Sequence, residues 1–452
     1  MAVHRFRRAT TRRACMVSAC GSSAESERMR VMGAVAMKIP VTLSVPDVAA
    51  APDAAVTDTV FEHSFARRCA AFAFVLLAEF FYGWAWNTVD VLRPYLRDSL
   101  GLSLTQAGSA YSAQGAGALI GAVVIGQLAD RLGRRNMLVV IMVGYGLMLL
   151  AGVLVASYPQ LLLQRFILGL FLGGSFPVVV GIYVGLFHAN VRGRLASGIN
   201  LTFSSSIALL GIALGHLGNH DWRVLLWLGG VPPVLLAGLA YLVVPESSRV
   251  TSQASRFPVG ELFAPSVRRR TLLLASLTGL NFFAYQAFSG WLTIYLHDVR
   301  HLPPDVTGQL VAALFTGNMI GGFVWGWASD RLGRRFGSWG FALAAVAIVT
   351  YLLVPTIPPL LMVVGFVYGF SFSSSVVWGP WLAELYPPHL KSTAASIFNW
   401  GRLISFFSPL VTGALASAFG LQVAMLAASV AFLIAALIWR SLPETLARST
   451  AI

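Results

Sequence analysis

Four charged residues, Glu79, Asp90, Arg165 and Arg402, sit inside long apolar runs of this sequence. An ionised group in such surroundings costs at least ~2.5 kcal/mol near the centre of a bilayer, and function usually accounts for that cost. A guanidinium binds a carboxylate through two parallel hydrogen bonds, so Arg402, in "NWGRLISFFSP" (Asn399 to Pro409), is a candidate for holding an anion. A structural ion pair, or a side chain snorkelling to the nearer interface, accounts for Arg402 equally well. For Glu79 the chemistry is proton exchange, because desolvation favours the neutral form while a nearby cation or water favours the ionised one. Asp90 could pair with Arg165, or simply mark an outer interface.

These residues must be positioned by helices. Glu79 and Asp90 are eleven residues apart, which at 100° per residue leaves them only ~20° from eclipsed on a helix. Trp86 lies between them, with Tyr82 and Gly83 beside the line. That stripe could face a cavity, and Tyr285, Gln286 and Trp291 of "NFFAYQAFSGWLTIYL", with Asn399 and Trp400 beside Arg402, could form other walls. Packing or lipid contact competes as an explanation for each aromatic residue taken singly.

A second charged pattern occurs twice. "GQLADRLGRR" carries Gly126, Asp130, Arg131, Gly133, Arg134 and Arg135, and "GWASDRLGRR" repeats it 200 residues later with Gly326, Asp330, Arg331, Gly333, Arg334 and Arg335. An Asp at a helix end can accept from exposed amides and pair with Arg, which makes a breakable latch. Anchoring of topology alone is the plainer alternative. The same offset aligns Gly117 with Gly317 and Gly121 with Gly321, and "VPESSR" from Val244 has a partner in "LPETLA" from Leu442. The chain therefore reads as a duplication, a pattern that recurs in transporters with their binding site between the halves.

The sequence is 57% hydrophobic and 11% charged, with mean hydropathy +0.73, which is too apolar for one soluble core. Apolar runs of roughly 20 residues, enough to cross ~30 Å of hydrocarbon, predict twelve helices. They fall near 70–92, 106–128, 137–157, 160–186, 195–217, 224–244, 271–296, 308–328, 338–356, 359–383, 395–417 and 420–439. An outer-membrane barrel would instead show short alternating segments. Of the 32 Lys and Arg, only Arg93, Arg97, Arg223 and Arg300 fall in loops of one face, and only Arg165 and Arg402 fall inside runs. The remainder mark the other face as cytoplasmic, with both termini on it. The net charge of +14 is thus an orientation signal, and a nucleic-acid partner is excluded because no single basic face forms. The three Cys residues all lie at or before the first run and suggest no disulfide framework, and no secretory signal is evident. Met29, Met32 and Met37 leave the translation start open.

The repeated motif between helices 2 and 3 and helices 8 and 9 resembles the signature of the major facilitator superfamily. "RFILGLFLGGSFP" (Arg165 to Pro177), "PESSR" and "AELYPPHLKST" (Ala383 to Thr393), with Glu384, are similar to further segments of that family. The resemblance spans about residues 65–445. It implies an all-α integral membrane protein of twelve transmembrane helices in two six-helix pseudo-repeats, with alternating access. The expected division is a disordered basic segment (1–65), a first half (66–246), a cytoplasmic linker (247–270), a second half (271–441) and a cytoplasmic tail (442–452). Within the family, the Gly-Arg with downstream Pro in helix 11 is similar to metabolite/proton symporters of organic acids. Two departures matter: that branch usually shows D-G-x-D in helix 1, where Tyr82 and Ala85 stand here, and the Glu expected at the end of helix 4 is Gly185.

The resemblance therefore implies a secondary transporter of a small organic anion, with protons as the coupling ion. Arg402, Tyr82, Trp86, Asn399, Tyr285, Gln286 and Trp291 are the candidate substrate residues, and Glu79, Asp90 and Arg165 the coupling residues. Glu384 joins the latch residues. A sugar or other neutral-metabolite porter, or a uniporter, is the alternative within the family. An enzyme would need a convergent nucleophile, base or metal site, and a sensor an added soluble domain; neither pattern occurs. A monomer in a bacterial inner membrane, needing no metal or cofactor, completes the expectation.

Overall fold

The computed structural model describes residues 63–187, 189–217, 221–246, 259–378, 381, 384–386 and 397–445. The side chains at 130, 189, 190, 193, 259, 398–400 and 402 lie outside the described residues. So do residues 1–62 of the expected N-terminal segment, 247–258 of the linker and 446–452 of the tail.

Among the described residues, twelve helices of 14 residues or more lie where the apolar runs predict them. They are α1 (Phe65–Val91), α2 (Leu104–Leu132), α3 (Arg134–Ala151), α4 (Tyr158–Leu186), α5 (Ala189–Leu217) and α6 (Val224–Ala237) in the first half. The second half has α7 (Arg268–Phe288), α8 (Pro304–Leu332), α9 (Ser338–Leu353), α10 (Pro358–Phe372), α11 (Ile397–Phe419) and α12 (Leu421–Ser441). Ten of these regions are long and apolar enough to cross a membrane, while the apolar parts of α6 and α11 are shorter. In α6 the regular helix stops before Gly238, and a further turn, Ala240–Val243, continues the path. Together 224–243 reach about 30 Å at 1.5 Å per residue, enough to span.

Small residues decide how the helices approach. A Cβ on Gly117 or Gly121 of α2 would lie 2.0 Å or 1.9 Å from the carbonyl oxygens of Phe166 and Leu170 in α4. A Cβ on Gly317 or Gly321 of α8 would likewise meet those of Phe366 and Phe370 in α10 at 2.2 Å and 2.3 Å. The glycines matched at the 200-residue offset are therefore the same helix contact built twice, with backbones close enough for van der Waals attraction to hold them. Gly133 and Gly333, in the repeated motif, turn the chain from one helix into the next at φ +95° and +103°. L side chains rarely adopt that conformation.

Each half has its own apolar core. The halves meet at the end distal to the repeated loops, where α2 touches α11 and α5 touches α8. There a Cβ on Gly108 would lie 2.5 Å from the Pro409 carbonyl oxygen, and one on Gly308 would lie 2.1 Å from that of Gly211.

The expected seventh span does not run unbroken. After Phe288 the chain tightens through Ser289–Trp291, makes one turn at Leu292–Ile294, and widens to a π-helix at Tyr295–Val299. Such breaks free backbone carbonyls for other partners.

Candidate transport cavity and its two closures

A cavity of about 400 Å³ lies between the halves at mid-depth. The first half supplies Glu79, Tyr82, Trp86, Asn87, Tyr111 and Ser204, and the second half supplies Asn281, Tyr285, Phe315, Asn318, Phe372 and Phe406, among others. Tyr183, Ala196 and Ser375 carry the lining toward the end that bears the repeated loops. One wall is aromatic: Tyr82 has its ring centroid 5.9 Å from Trp86 and 5.9 Å from Phe203, and Trp86 stands edge-on to Tyr111. The facing wall has Tyr285 against Phe372 at 5.4 Å. Tilted and edge-on rings of this kind attract one another and leave apolar ring surface along the cavity.

Among the described lining residues Glu79 is the only carboxylate, and no Lys or Arg contributes. Glu79 is 4% exposed, and the Ser175 hydroxyl donates to its Oε1 at 3.3 Å. Asn318 accepts from the Ser204 hydroxyl at 2.9 Å, joining α8 to α5 across the two halves.

Toward the distal end a polar knot closes the cavity. Asp90 pairs with Arg93 one turn on, accepts from the Gln286 amide at 2.9 Å, and its carbonyl accepts from Thr293 at 2.6 Å. Arg93 donates to the Gly290 carbonyl, freed by the break in the seventh span, and stacks over Trp291 at 4.8 Å. Trp291 donates to Thr412 at 2.6 Å, and Arg97 pairs with Asp298 further out. Every one of these bonds except Asp90 to Arg93 and Trp291 to Thr412 crosses from the first half to the second.

The sequence-based pairing of Asp90 with Arg165 is not the contact observed. Arg165 donates to Thr88 at 3.0 Å, and Arg93, placed in an outer loop by the sequence reading, is buried and takes Asp90 instead. Distance along the helix explains the choice: Arg93 follows Asp90 by three residues, a spacing at which side chains on helical backbone meet. Of the expected substrate residues, Tyr82, Trp86 and Tyr285 line the cavity together with Glu79. Gln286 and Trp291 instead belong to the distal knot. Asn399 and Arg402 have side chains outside the described residues.

At the other end, Arg334 bridges Asp330 at 2.6 Å and Glu384 at 2.8 Å, and Glu444 accepts from the backbone N–H groups of Arg334 and Arg335. Arg335 also donates to the Leu442 carbonyl, and Arg331 lies over Trp327. In the first half Arg134 donates to the Gly181 carbonyl at 2.7 Å and Arg135 pairs with Glu246 at 2.9 Å, while Arg131 is exposed. The Asp130 side chain lies outside the described residues. Around Gly326 an added Cβ would meet nothing within 4 Å, and around Gly126 only Pro177 at 4.0 Å.

The segments 75–308 and 274–451 each match the Major Facilitator Superfamily. The chain belongs to that family. It is a multi-pass membrane protein and a secondary transporter, not an enzyme. A "Probable 4-methylmuconolactone transporter" of Cupriavidus pinatubonensis is 28% identical, covering 76% of this chain and 84% of that protein. The "Cis,cis-muconate transport protein" of Acinetobacter baylyi is also 28% identical, with coverage of 77% and 87%. A "Gallate transporter" of Pseudomonas putida is 25% identical, with coverage of 78% and 87%. The fold is that of a bacterial homolog of the human lysosomal transporter Spinster, in an inward-facing and unoccupied conformation. That structure has TM-score 0.71 and 18% identity, and the match covers 84% of this chain and 97% of the other. The inward open xylose transporter XylE from E. coli is similar too, with TM-score 0.65 and 20% identity over 84% and 98%.

Several cavity residues escaped the sequence reading. Asn87, Asn281 and Asn318 are amides inside apolar runs, each buried, and an amide at such a position is costly unless it is partnered. That cost was the available signal, and the search for charged groups passed over it.

Proposed function

We propose that this member of the Major Facilitator Superfamily carries a small, flat organic anion, coupled to a proton, across a bacterial inner membrane. The observation that carries the reading is the cavity itself: aromatic walls, amide and hydroxyl groups, and a single carboxylate, Glu79, among its described lining. An anion held near an ionised Glu79 would be repelled by about 4 kcal/mol at 4 Å for an effective dielectric of 20. Protonation of Glu79 removes that repulsion, so anion and proton enter together. Arg402 is the proposed carboxylate partner, and Asn399 lies beside it in α11. Asp90, Arg93 and Gln286 act as the distal gate, with Arg165 held to Thr88 behind them. The names of the relatives, which speak of muconate, muconolactone and gallate, support the same substrate class. A sugar reading is weaker, because the Gln286 amide is engaged by Asp90 and does not line the cavity.

The loop end is proposed as cytoplasmic, on the strength of its Lys and Arg, and the repeated motifs as the cytoplasmic gate. The described lining comes from both halves of the one chain, and a monomeric transport unit is proposed. A cysteine placed at Ser252 in a cysteine-free variant is expected to resist impermeant maleimide in intact cells.

The function is tested in proteoliposomes with labelled cis,cis-muconate and 4-hydroxybenzoate, with and without an imposed proton gradient. The parental protein is expected to accumulate one or both when the gradient is present. Glu79→Gln, a permanently neutral mimic, should abolish accumulation and keep counterflow exchange. Arg402→Lys should lower uptake strongly although the charge remains, since an ammonium lacks the planar fork. Gradient-driven accumulation by Glu79→Gln at the parental level would remove Glu79 from the coupling role.

A further inference from the structure

Asn281 stands out among the buried polar groups. It is 5% exposed, its Oδ1 is sealed from water without a hydrogen-bond partner, and its amide nitrogen has none among the described residues. Other buried atoms also lack partners, among them Oε1 of Gln114, Gln164 and Gln286, but those side chains each donate through their nitrogens. Of all the described side chains with such an atom, Asn281 alone lines the transport cavity.

Its position gives this weight. Asn281 is the fourteenth residue of α7 and Glu79 the fifteenth of α1, so the two lie at matching depth on the first helix of each half. Tyr285, one turn further along α7, lines the same cavity and lies against Phe372. A buried amide left unmade costs about 1–3 kcal/mol, and natural structures rarely keep one without a reason. Two other cavity amides do have partners: Asn87 donates to the Gly83 carbonyl and Asn318 accepts from Ser204.

We infer that Asn281 is a specificity-determining residue that hydrogen-bonds a hydroxyl group on the transported acid. An amide offers one acceptor and a donor side by side, and which atom points where is an assignment that an amide flip reverses. A hydroxyl satisfies either orientation, since it both donates and accepts. An acid lacking the hydroxyl would leave Asn281 unsatisfied in the loaded state, and a site built to bond a hydroxyl discriminates strongly against its absence. The inference rests on the organic-anion reading, and it adds which substituent on the ring is read and by which residue.

The test is binding of benzoate and of the 2-, 3- and 4-hydroxybenzoates to purified full-length protein in nanodiscs, followed by intrinsic tryptophan fluorescence. At least one hydroxylated acid should bind about tenfold more tightly than benzoate, a difference of about 1.4 kcal/mol. Asn281→Leu, of similar size but unable to hydrogen-bond, should bring that ratio to within about threefold by weakening the hydroxylated acid, leaving benzoate unchanged. Thermal unfolding supplies a second readout. Removal of an unsatisfied amide should leave the ligand-free midpoint unchanged or higher, whereas a residue kept for folding would lower it. Asn281→Ser, which offers a hydroxyl in place of the amide, should restore part of the discrimination. An unchanged ratio in Asn281→Leu, or equal loss of both acids, would overturn the inference while leaving the anion reading intact. Binding of none of the four acids by the parental protein would instead sink the anion reading for ring acids, and this inference with it.

Discussion

The two halves carry the same ten-residue motif but do different things with it. In the second half Arg334 is 9% exposed in its side chain and gathers Asp330 and Glu384, while Glu444 covers the backbone amides at the turn. In the first half, among the described residues, the equivalent Arg134 reaches a backbone carbonyl, that of Gly181, and Arg135 forms a partly exposed ion pair with Glu246. Among the described residues the difference includes one clear change of residue type: α10 is followed by Glu384, which pairs with Arg334, where α4 has Gly185. A repeated motif is therefore a repeated backbone, fixed by Gly133 and Gly333, on which each half mounts its own charge arrangement.

If that is right, the arginines are not equivalent. Arg334→Ala should have the largest effect, because it removes the pairs with Asp330 and Glu384 together and, among the described residues, leaves Glu384 with Thr445 alone. Uptake in proteoliposomes is expected to fall at least tenfold, about 1.4 kcal/mol or more in barrier, with a lowered unfolding midpoint. Arg134→Ala loses one bond to a carbonyl and should fall about threefold or less. Equal losses in the two variants would break the comparison.

A gain-of-contact variant sharpens it. A Cβ added at Gly185 meets nothing within 4 Å, so a side chain can begin there without a clash, and Gly185→Glu supplies the acid that the second half has in Glu384. Arg134 should turn from Gly181 to the new carboxylate, raising the unfolding midpoint and slowing uptake as the latch stiffens. Replacement of a helical glycine by itself contributes up to about 1 kcal/mol. Gly185→Gln carries that part without the charge, so the excess of Glu over Gln measures the latch. No excess would mean that Glu384 works through packing and not through its charge.

Much of this was legible in the sequence, for reasons particular to each feature. Twelve spans could be placed because hydrocarbon demands about 20 apolar residues from each, and the duplication because α2/α4 and α8/α10 need glycine at the same contact points. Glu79, Tyr82, Trp86 and Tyr285 could be placed in the cavity because helical periodicity puts them on one stripe or one turn. The distal knot was not legible. Arg93 reads as a loop residue until a short helix, Arg93–Leu100, turns it inward, and the break after Phe288 that exposes the Gly290 carbonyl has no strong signal beyond Ser289 and Gly290. Gln286, in the regular part of α7 beside Tyr285, and Trp291, in the broken part, do not line the described cavity but bond Asp90 and Thr412.

The smallest expected effect is also the most specific to the second half. Burial by itself would raise the Glu384 carboxyl, but hydrogen bonds from Arg334 and Thr445, with the Arg334 charge, outweigh it and hold the group below its ordinary value of 4.5. A carboxyl with a lowered folded value stabilises fully above the ordinary value, and the contribution disappears as pH falls through the lowered one. Glu384 is partly exposed, so solvent screens the pair and the effect belongs with surface ion pairs, about 0–1 kcal/mol. The measurement is the unfolding midpoint of the parental protein minus that of Glu384→Gln, followed from pH 7 down to pH 3. Other carboxylates titrate in both proteins and cancel in the difference. The difference should be constant above about pH 5 and shrink below pH 4.5 as Glu384 takes up its proton. A difference that persists undiminished at pH 3 would show that the charge on Glu384 contributes nothing, and that the asymmetry between the two halves is one of packing alone.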